Sequence, residues 1–198
     1  MDFWGIQIGP LLAGLGIAGL AVALALQPTL ANIFSGIAMI LDKTIRIGDL
    51  IYLENNTRGK VVKIGLRSTK LRTADNELII VPNSDLANSK IQNVALPEPK
   101  SRAVIPFGVA YGSDIEKVKK IVLKEIKSVK HFVNEPEPNV VFLKMGDSAL
   151  SFEAYFHVDS FENRLYAIDE ANTKIYNALR KSNIEIPFPQ MDVHLKKK

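Results

Sequence analysis

Residues 10–41, PLLAGLGIAGLAVALALQPTLANIFSGIAMIL, contain no charged side chain, and the charge-free run extends back to Phe3. A run this long and apolar does not suit the surface of a soluble protein. Its many Gly and Ala residues give too little side-chain volume for an ordinary core helix. Read as a helix, Ile6–Leu26 is about 31 Å long, close to the thickness of a hydrocarbon core. Trp4 falls where an interfacial aromatic would sit. Gly9-Pro10 opens the helix, because proline is tolerated in a first turn.

The charge distribution supports a membrane helix joined to a soluble body. The chain carries 25 Lys and Arg against 21 Asp and Glu, and of these only Asp2 precedes Asp42. Lys43 and Arg46 follow directly after the apolar run, so the positive-inside rule puts the body in the cytoplasm at a plasma or inner membrane. A cleaved signal peptide does not fit, since no basic n-region leads the run and the apolar stretch is too long. There is no cysteine, so disulfides and thiolate metal sites are excluded.

Projection at 100° per residue divides the helix into four stripes. Ala13, Ile17, Leu20, Leu24 and Gln27 form one, and Leu11, Leu15, Val22 and Leu26 lie opposite. Leu12, Gly16, Gly19 and Ala23 make one flank; Gly14, Ala18, Ala21 and Ala25 make the other. Small residues let helix backbones approach closely in lipid. Two small flanks suit like neighbours on both sides, as in a ring, although a transmembrane dimer uses similar patterns. Gly14–Gly19 also matches G-x-G-x-x-G. A dinucleotide fold is excluded because the helix has no polar face before Gln27 and no βαβ series follows.

Pro28 costs a helical hydrogen bond, so Gln27-Pro28-Thr29 reads as a kink with Thr29 available as a cap. Beyond it, Leu30, Ile33, Phe34, Ile37 and Leu41 share one face, with Asn32, Ser35 and Gly36 on the other. This second segment reads as an amphipathic helix at the membrane surface or against the soluble body.

Several motifs together, in this order, are similar to the small-conductance mechanosensitive channel (MscS) family: GLGIAGLAVALALQPTLANIFSGI, Ile45-Arg-Ile-Gly-Asp49, Arg72-Thr-Ala-Asp75, Val81-Pro-Asn83 and Pro187-Phe-Pro-Gln-Met-Asp192. The resemblance implies a homoheptamer in membrane lipid that releases ions and small solutes on hypo-osmotic shock. It assigns Leu20 and Leu24 as pore-closing rings and Gly16, Ala18, Gly19, Ala21 and Ala23 as helix-packing residues. The kink falls at Gln27 and Pro28, and Ala23 stands where many relatives carry glycine. The two transmembrane helices that precede the pore helix in the family are missing from this sequence.

The implied domains are a pore helix over 1–28, an interfacial helix over 29–42, an Sm-like β domain over 43–97, a ferredoxin-like α+β domain over 98–190 and a tail strand over 191–198. The residues agree with this order. Thr44–Leu53, which holds a Gly-Asp turn, Lys60–Ile64, Leu66–Thr73 and Glu77–Val81 are β-rich, Glu54–Gly59 is a hairpin loop, and Ser84–Ser89 is a short helical turn. Five short strands make a small barrel or half-barrel that neighbours complete. Then come a strand over Ala103–Tyr111, a helix capped by Ser113 or Asp114, strands over Asn139–Met145 and Leu150–Val158, a helix over Phe161–Lys181 and a last strand from Asn183 to Phe188. That order is β-α-β-β-α-β.

No catalytic or metal-binding constellation emerges, and no cofactor motif survives. His131, His157 and His194 are isolated, and Tyr111 and Asp114 flank Gly112 in a turn that needs them structurally. Lys60, Lys63, Arg67, Lys70 and Arg72 form a basic patch with too few aromatics for specific nucleic-acid binding. Two other functions stay open at this point: a membrane-tethered nucleic-acid binder, and a regulatory subunit that does not conduct.

Overall fold

The computed structural model describes residues 8–54 and 57–194, in two separate units divided after Val94. The expectations on Trp4 and Ile6, on Asn55 and Asn56 of the hairpin loop, and on the last four lysine-rich positions lie outside the described residues.

The first unit begins with α1, Ile8–Asp42, a single helix of 35 residues. Pro28, where a kink is expected, does not end the helix. Pro28 lies inside the helix, and Thr29 is a helical residue rather than a cap. Proline removes one hydrogen bond, but strong helix formers flank it on both sides, so the ladder resumes at once. The helix ends where Lys43 takes a positive φ of 53°, the left-handed backbone that commonly follows a last helical turn.

Five antiparallel strands follow: β1 Leu50–Tyr52, β2 Arg58–Ile64, β3 Ser68–Arg72, β4 Leu78–Pro82 and β5 Gln92–Asn93. Their order in the sheet is β4-β3-β2-β1-β5. The short helix α2, Asn83–Asn88, sits between β4 and β5. The β-rich stretch Thr44–Leu53 makes its expected Gly-Asp turn, which takes up Ile45–Asp49 and leaves β1 as its strand. Gly48 takes φ +100°, and the Arg46 amide donates to Asp49 Oδ2 at 2.9 Å. Asp49 Oδ2 also accepts from Asn93 Nδ2 at 2.7 Å, which ties the turn to β5. Ile45, Ile51, Val61, Leu71 and Leu86 form the core of this unit, together with Met39 from α1.

The second unit holds β6 Ser101–Val109, α3 Ile115–Ile126, β7 Phe132–Val133, β8 Asn139–Met145, β9 Leu150–Val158 and α4 Phe161–Lys181. β6 and β9 pair antiparallel over nine residues, from Ser101↔Val158 to Val109↔Leu150. β8 and then β7 occupy the other edge of β9. Every second residue of β9 is buried, as its alternation predicts. Phe152 and Phe156 pack with Val118, Val122 and Ile126 of α3 and Ala167, Ala171 and Leu179 of α4.

Asp114, not Ser113, caps α3 by accepting from the Lys117 amide at 3.1 Å. Tyr111 OH donates to the Gly146 carbonyl at 2.5 Å. Both residues therefore have structural employment in the turn around Gly112. His131 Nδ1 lies 2.8 Å from Asp159 Oδ2 and 3.1 Å from Asn163 Nδ2, joining the chain after α3 to the start of α4.

The last expected strand does not form a ladder. The Ala110 amide donates to the Glu185 carbonyl at 2.9 Å, but Pro187 and Pro189 have no amide to continue the pairing. Residues 191–194 have no regular structure in the single chain. The fold class is as read from the sequence: an apolar helix, a small all-β domain and an α+β domain.

Candidate functional site: the apolar helix and its anchorage

The site is α1 with its attachment to the β domain. Along the first part of α1, Leu20 and Leu24 lie one turn apart, about 6 Å along the axis. They are 62% and 61% exposed. Ile17 of the same stripe is exposed, and so are Leu11, Leu15, Val22 and Leu26 opposite. A Cβ added at Gly14, Gly16 or Gly19 would meet nothing within 4 Å. Ala18, Ala21, Ala23, Gln27 and Pro28 are exposed as well. All the candidate pore and packing residues therefore sit on a part of α1 that no other described residue covers. The segment from Gly9 to Asp42 is long and apolar enough to cross a membrane. Leaving this much apolar surface in water is unfavourable, so lipid or other polypeptide must cover it.

Below Pro28 the same helix gains partners. Asn32 Oδ1 accepts from the Ser84 amide at 3.0 Å and the Ser84 hydroxyl at 3.1 Å. Asn32 Nδ2 donates back to the Pro28 carbonyl at 2.9 Å. One side chain thus links the turn at Pro28 to the start of α2.

One turn further on, Gly36 is buried against Asn83. Asn83 is fully buried, and its amide is completely engaged. Nδ2 donates to the carbonyls of Gly65 at 2.9 Å and Leu66 at 3.0 Å, and Oδ1 accepts from Thr69 Oγ1 at 2.9 Å. Its backbone amide donates to the Arg67 carbonyl at 3.0 Å. A Cβ on Gly36 would lie 2.4 Å from Asn83 Nδ2 and 3.1 Å from the Leu66 carbonyl. Glycine is required here for close approach rather than for backbone freedom.

The face that docks is the one opposite the apolar stripe, on the side of Asn32, Ser35 and Gly36. Gly36 and Met39 are buried and Asn32 half-buried, while Leu30, Phe34, Ile37 and Leu41 point outward and are exposed. Periodicity left the membrane surface and the soluble body both open and does not choose the docking face. It ranks faces by apolarity, whereas this contact is made by a small residue against a satisfied polar hub. The signal in the sequence was the Val81-Pro-Asn83 motif, whose asparagine is the hub.

Among the described residues no group of three or more His, Asp or Glu is placed to hold a metal ion.

Residues 1–27 match the family model for transmembrane helices 2/3 of mechanosensitive ion channels, residues 28–96 match the model for their β-domain, and residues 103–186 match that for the MscS C-terminal domain. The chain is 38% identical over 197 residues to the small-conductance mechanosensitive channel MscMJ of Methanocaldococcus jannaschii, covering 98% of the chain and 55% of that relative. It spans about half the length of that curated relative. It is 33% identical over 196 residues to an MscS family protein of Buchnera aphidicola, covering 98% of the chain and 68% of the relative. The crystal structure of Helicobacter pylori MscS in its closed state superposes with a TM-score of 0.80 at 32% identity, covering 98% of this chain and 76% of that one.

Proposed function

Because the chain belongs to the MscS family of mechanosensitive ion channels, we propose that it is the pore-forming subunit of a tension-gated channel. Copies assemble as a ring, a heptamer, with α1 of each copy lining the pore. The observation that supports this most is the uncovered first part of α1, which carries a Leu20–Leu24 stripe between two flanks of small residues. The small flanks Gly16, Gly19 and Ala23 on one side and Ala18 and Ala21 on the other pack against like helices. The leucine stripe then faces the axis.

The gate is hydrophobic. Rings of Leu20 and Leu24 narrow the pore until water leaves it, so ions meet a desolvation barrier. Membrane tension favours the wider packing because it occupies more area, which is a population shift between two arrangements of the same flanks. The body lies in the cytoplasm, and opening releases ions and small solutes on hypo-osmotic shock. An ion channel needs no catalytic group.

The subunit count of the detergent-solubilised particle, by mass or imaging, tests the assembly. Seven copies are expected, and a monomer would overturn it. Pro28 supplies a second test. Pro28→Ala restores the missing helical hydrogen bond and removes the ring clash, together about 3 kcal/mol in a helix interior, and stiffens the point where α1 passes from its uncovered to its docked part. Closing or inactivation kinetics in patch recordings are expected to change. Kinetics identical to the parent would remove Pro28 as a hinge.

A further inference from the structure

Three side chains meet between the end of α3 and the start of α4. His131 Nδ1 lies 2.8 Å from Asp159 Oδ2, and Asn163 Nδ2 lies 3.1 Å from His131 Nδ1 and 2.8 Å from Asp159 Oδ1. The contacts close a triangle that no placement of protons satisfies. A ring nitrogen is a donor or an acceptor, not both. If Nδ1 carries the proton, it donates to Asp159 but faces an amide hydrogen of Asn163. If Nδ1 is bare, it accepts from Asn163 but sets its lone pair against the carboxylate. Turning the amide over moves the conflict without removing it. The amide oxygen then accepts from Nδ1–H, but it stands 2.8 Å from a carboxylate oxygen with no hydrogen between them.

The fold holds this arrangement in place. His131 takes a φ of 65°, in the left-handed region. Its carbonyl accepts from the Asp159 amide at 3.1 Å, and the Lys130 amide donates to Glu170 Oε2 at 3.0 Å. Buried Val129 and Val158 fix the two segments from below. Asp159 lies just ahead of α4, and Asn163 lies in its first turn.

A cation among the three groups satisfies all of them at once, because the bare Nδ1, a carboxylate oxygen and the amide oxygen each offer it a lone pair. An ion that binds its ligands at about 2.1 Å holds neighbouring ones about 3.0 Å apart at right angles. The contacts here measure 2.8 to 3.1 Å.

We propose that His131, Asp159 and Asn163 form a site for a divalent first-row transition cation, of the nickel and zinc class, with water in the remaining positions. The imidazole selects such ions over Mg²⁺ and Ca²⁺, which take oxygen ligands. The positive end of the α4 dipole opposes a cation, and the Asp159 carboxylate offsets it. A bound ion ties the segment after α3 to α4, so occupancy stabilises the second unit. The pairs lie 28 and 4 residues apart and one ligand is an amide, so no sequence spacing announces the site.

Calorimetric titration of the metal-stripped, detergent-solubilised protein with NiCl₂ or ZnCl₂ is the test. One ion per chain is expected, bound more tightly than Mg²⁺, and saturation raises the melting temperature by about 5 °C. His131→Gly, which suits the left-handed backbone, weakens binding about ten-fold or more and removes the thermal shift. Asn163→Asp tightens binding about ten-fold, because ligand charge sets affinity. His194→Ala, at an exposed position in the tail, changes neither. A parent that binds both ions no more tightly than Mg²⁺, or a His131→Gly protein that binds as the parent does, overturns the site. Asn163→Asp that binds no more tightly also counts against it, since damage weakens a site and only an added ligand charge strengthens it.

Discussion

Leu24→Ser is expected to give a channel that leaks at tensions where the parent is shut. Burying a leucine side chain is favoured by roughly 1.5–3 kcal/mol over leaving it in water. Serine forfeits that preference and adds a group that binds water. The change occurs in every copy of a ring, so small terms sum around the pore. An order-of-magnitude rise in low-tension open probability needs only about 1.4 kcal/mol in total, well within that sum. Leu20→Ser acts in the same direction one turn away. Leu26→Ser is the internal control, because it lies on the opposite stripe and meets lipid or other helices. Single-channel recording distinguishes the faces: a leak from Leu26→Ser as large as that from Leu24→Ser would show that the pore stripe has been assigned to the wrong side of α1.

Gly36→Ala is expected to loosen the whole attachment of α1 to the β domain. The added methyl falls 2.4 Å from Asn83 Nδ2. Asn83 has nowhere to retreat, since moving it breaks its bonds to Gly65, Leu66 and Thr69. Overpacking of this kind costs about 1–3 kcal/mol. For a chain of this size that lowers the melting temperature by roughly 2–4 °C per kcal/mol. Asn83→Ala strands the same partners and costs a comparable amount, about 1–3 kcal/mol for a buried polar group left unpaired. The double variant separates a specific contact from general damage. With Asn83 shortened, the methyl at position 36 has room, so the two losses sum to less than additive. Strict additivity in thermal melts of the solubilised protein would mean that Gly36 and Asn83 do not press on each other. The anchored helix also carries the pore stripe, so Gly36→Ala is expected to change the tension needed to open.

The strand and helix pattern of the second unit was legible almost to the residue, over Asn139–Met145, Leu150–Val158 and Phe161–Lys181. These elements bury one face against a single core, and such burial writes itself into the sequence as a period of two or 3.6. Elements held by single polar bonds were less visible. The Gly-Asp turn within Thr44–Leu53 was legible, but not that it takes up all of Ile45–Asp49, because the apolar residues there match strand composition. What holds it is the Asp49 carboxylate, which no periodicity records. The segment after Asn183 read as a strand for the same reason, and its prolines leave it with one bond to Ala110.

For α1 the division is clearest. The absence of charge from Phe3 to Leu41 by itself required a helix that water does not surround. The order of small and large residues by itself set Leu20 and Leu24 on one stripe between two small flanks. Both follow from helix geometry and the cost of burying charge, and need no neighbour to be known. Which face of the lower helix docks, and that one helix extends from Ile8 past Pro28 to Asp42, only the tertiary structure decided. The apolar stripe of Leu30, Ile33, Phe34, Ile37 and Leu41 suited the membrane surface or the soluble body alike, but the β domain offers a buried asparagine whose hydrogen bonds are all made. Only a residue without a side chain fits against that, and so Gly36 turns inward and the apolar face is left outside.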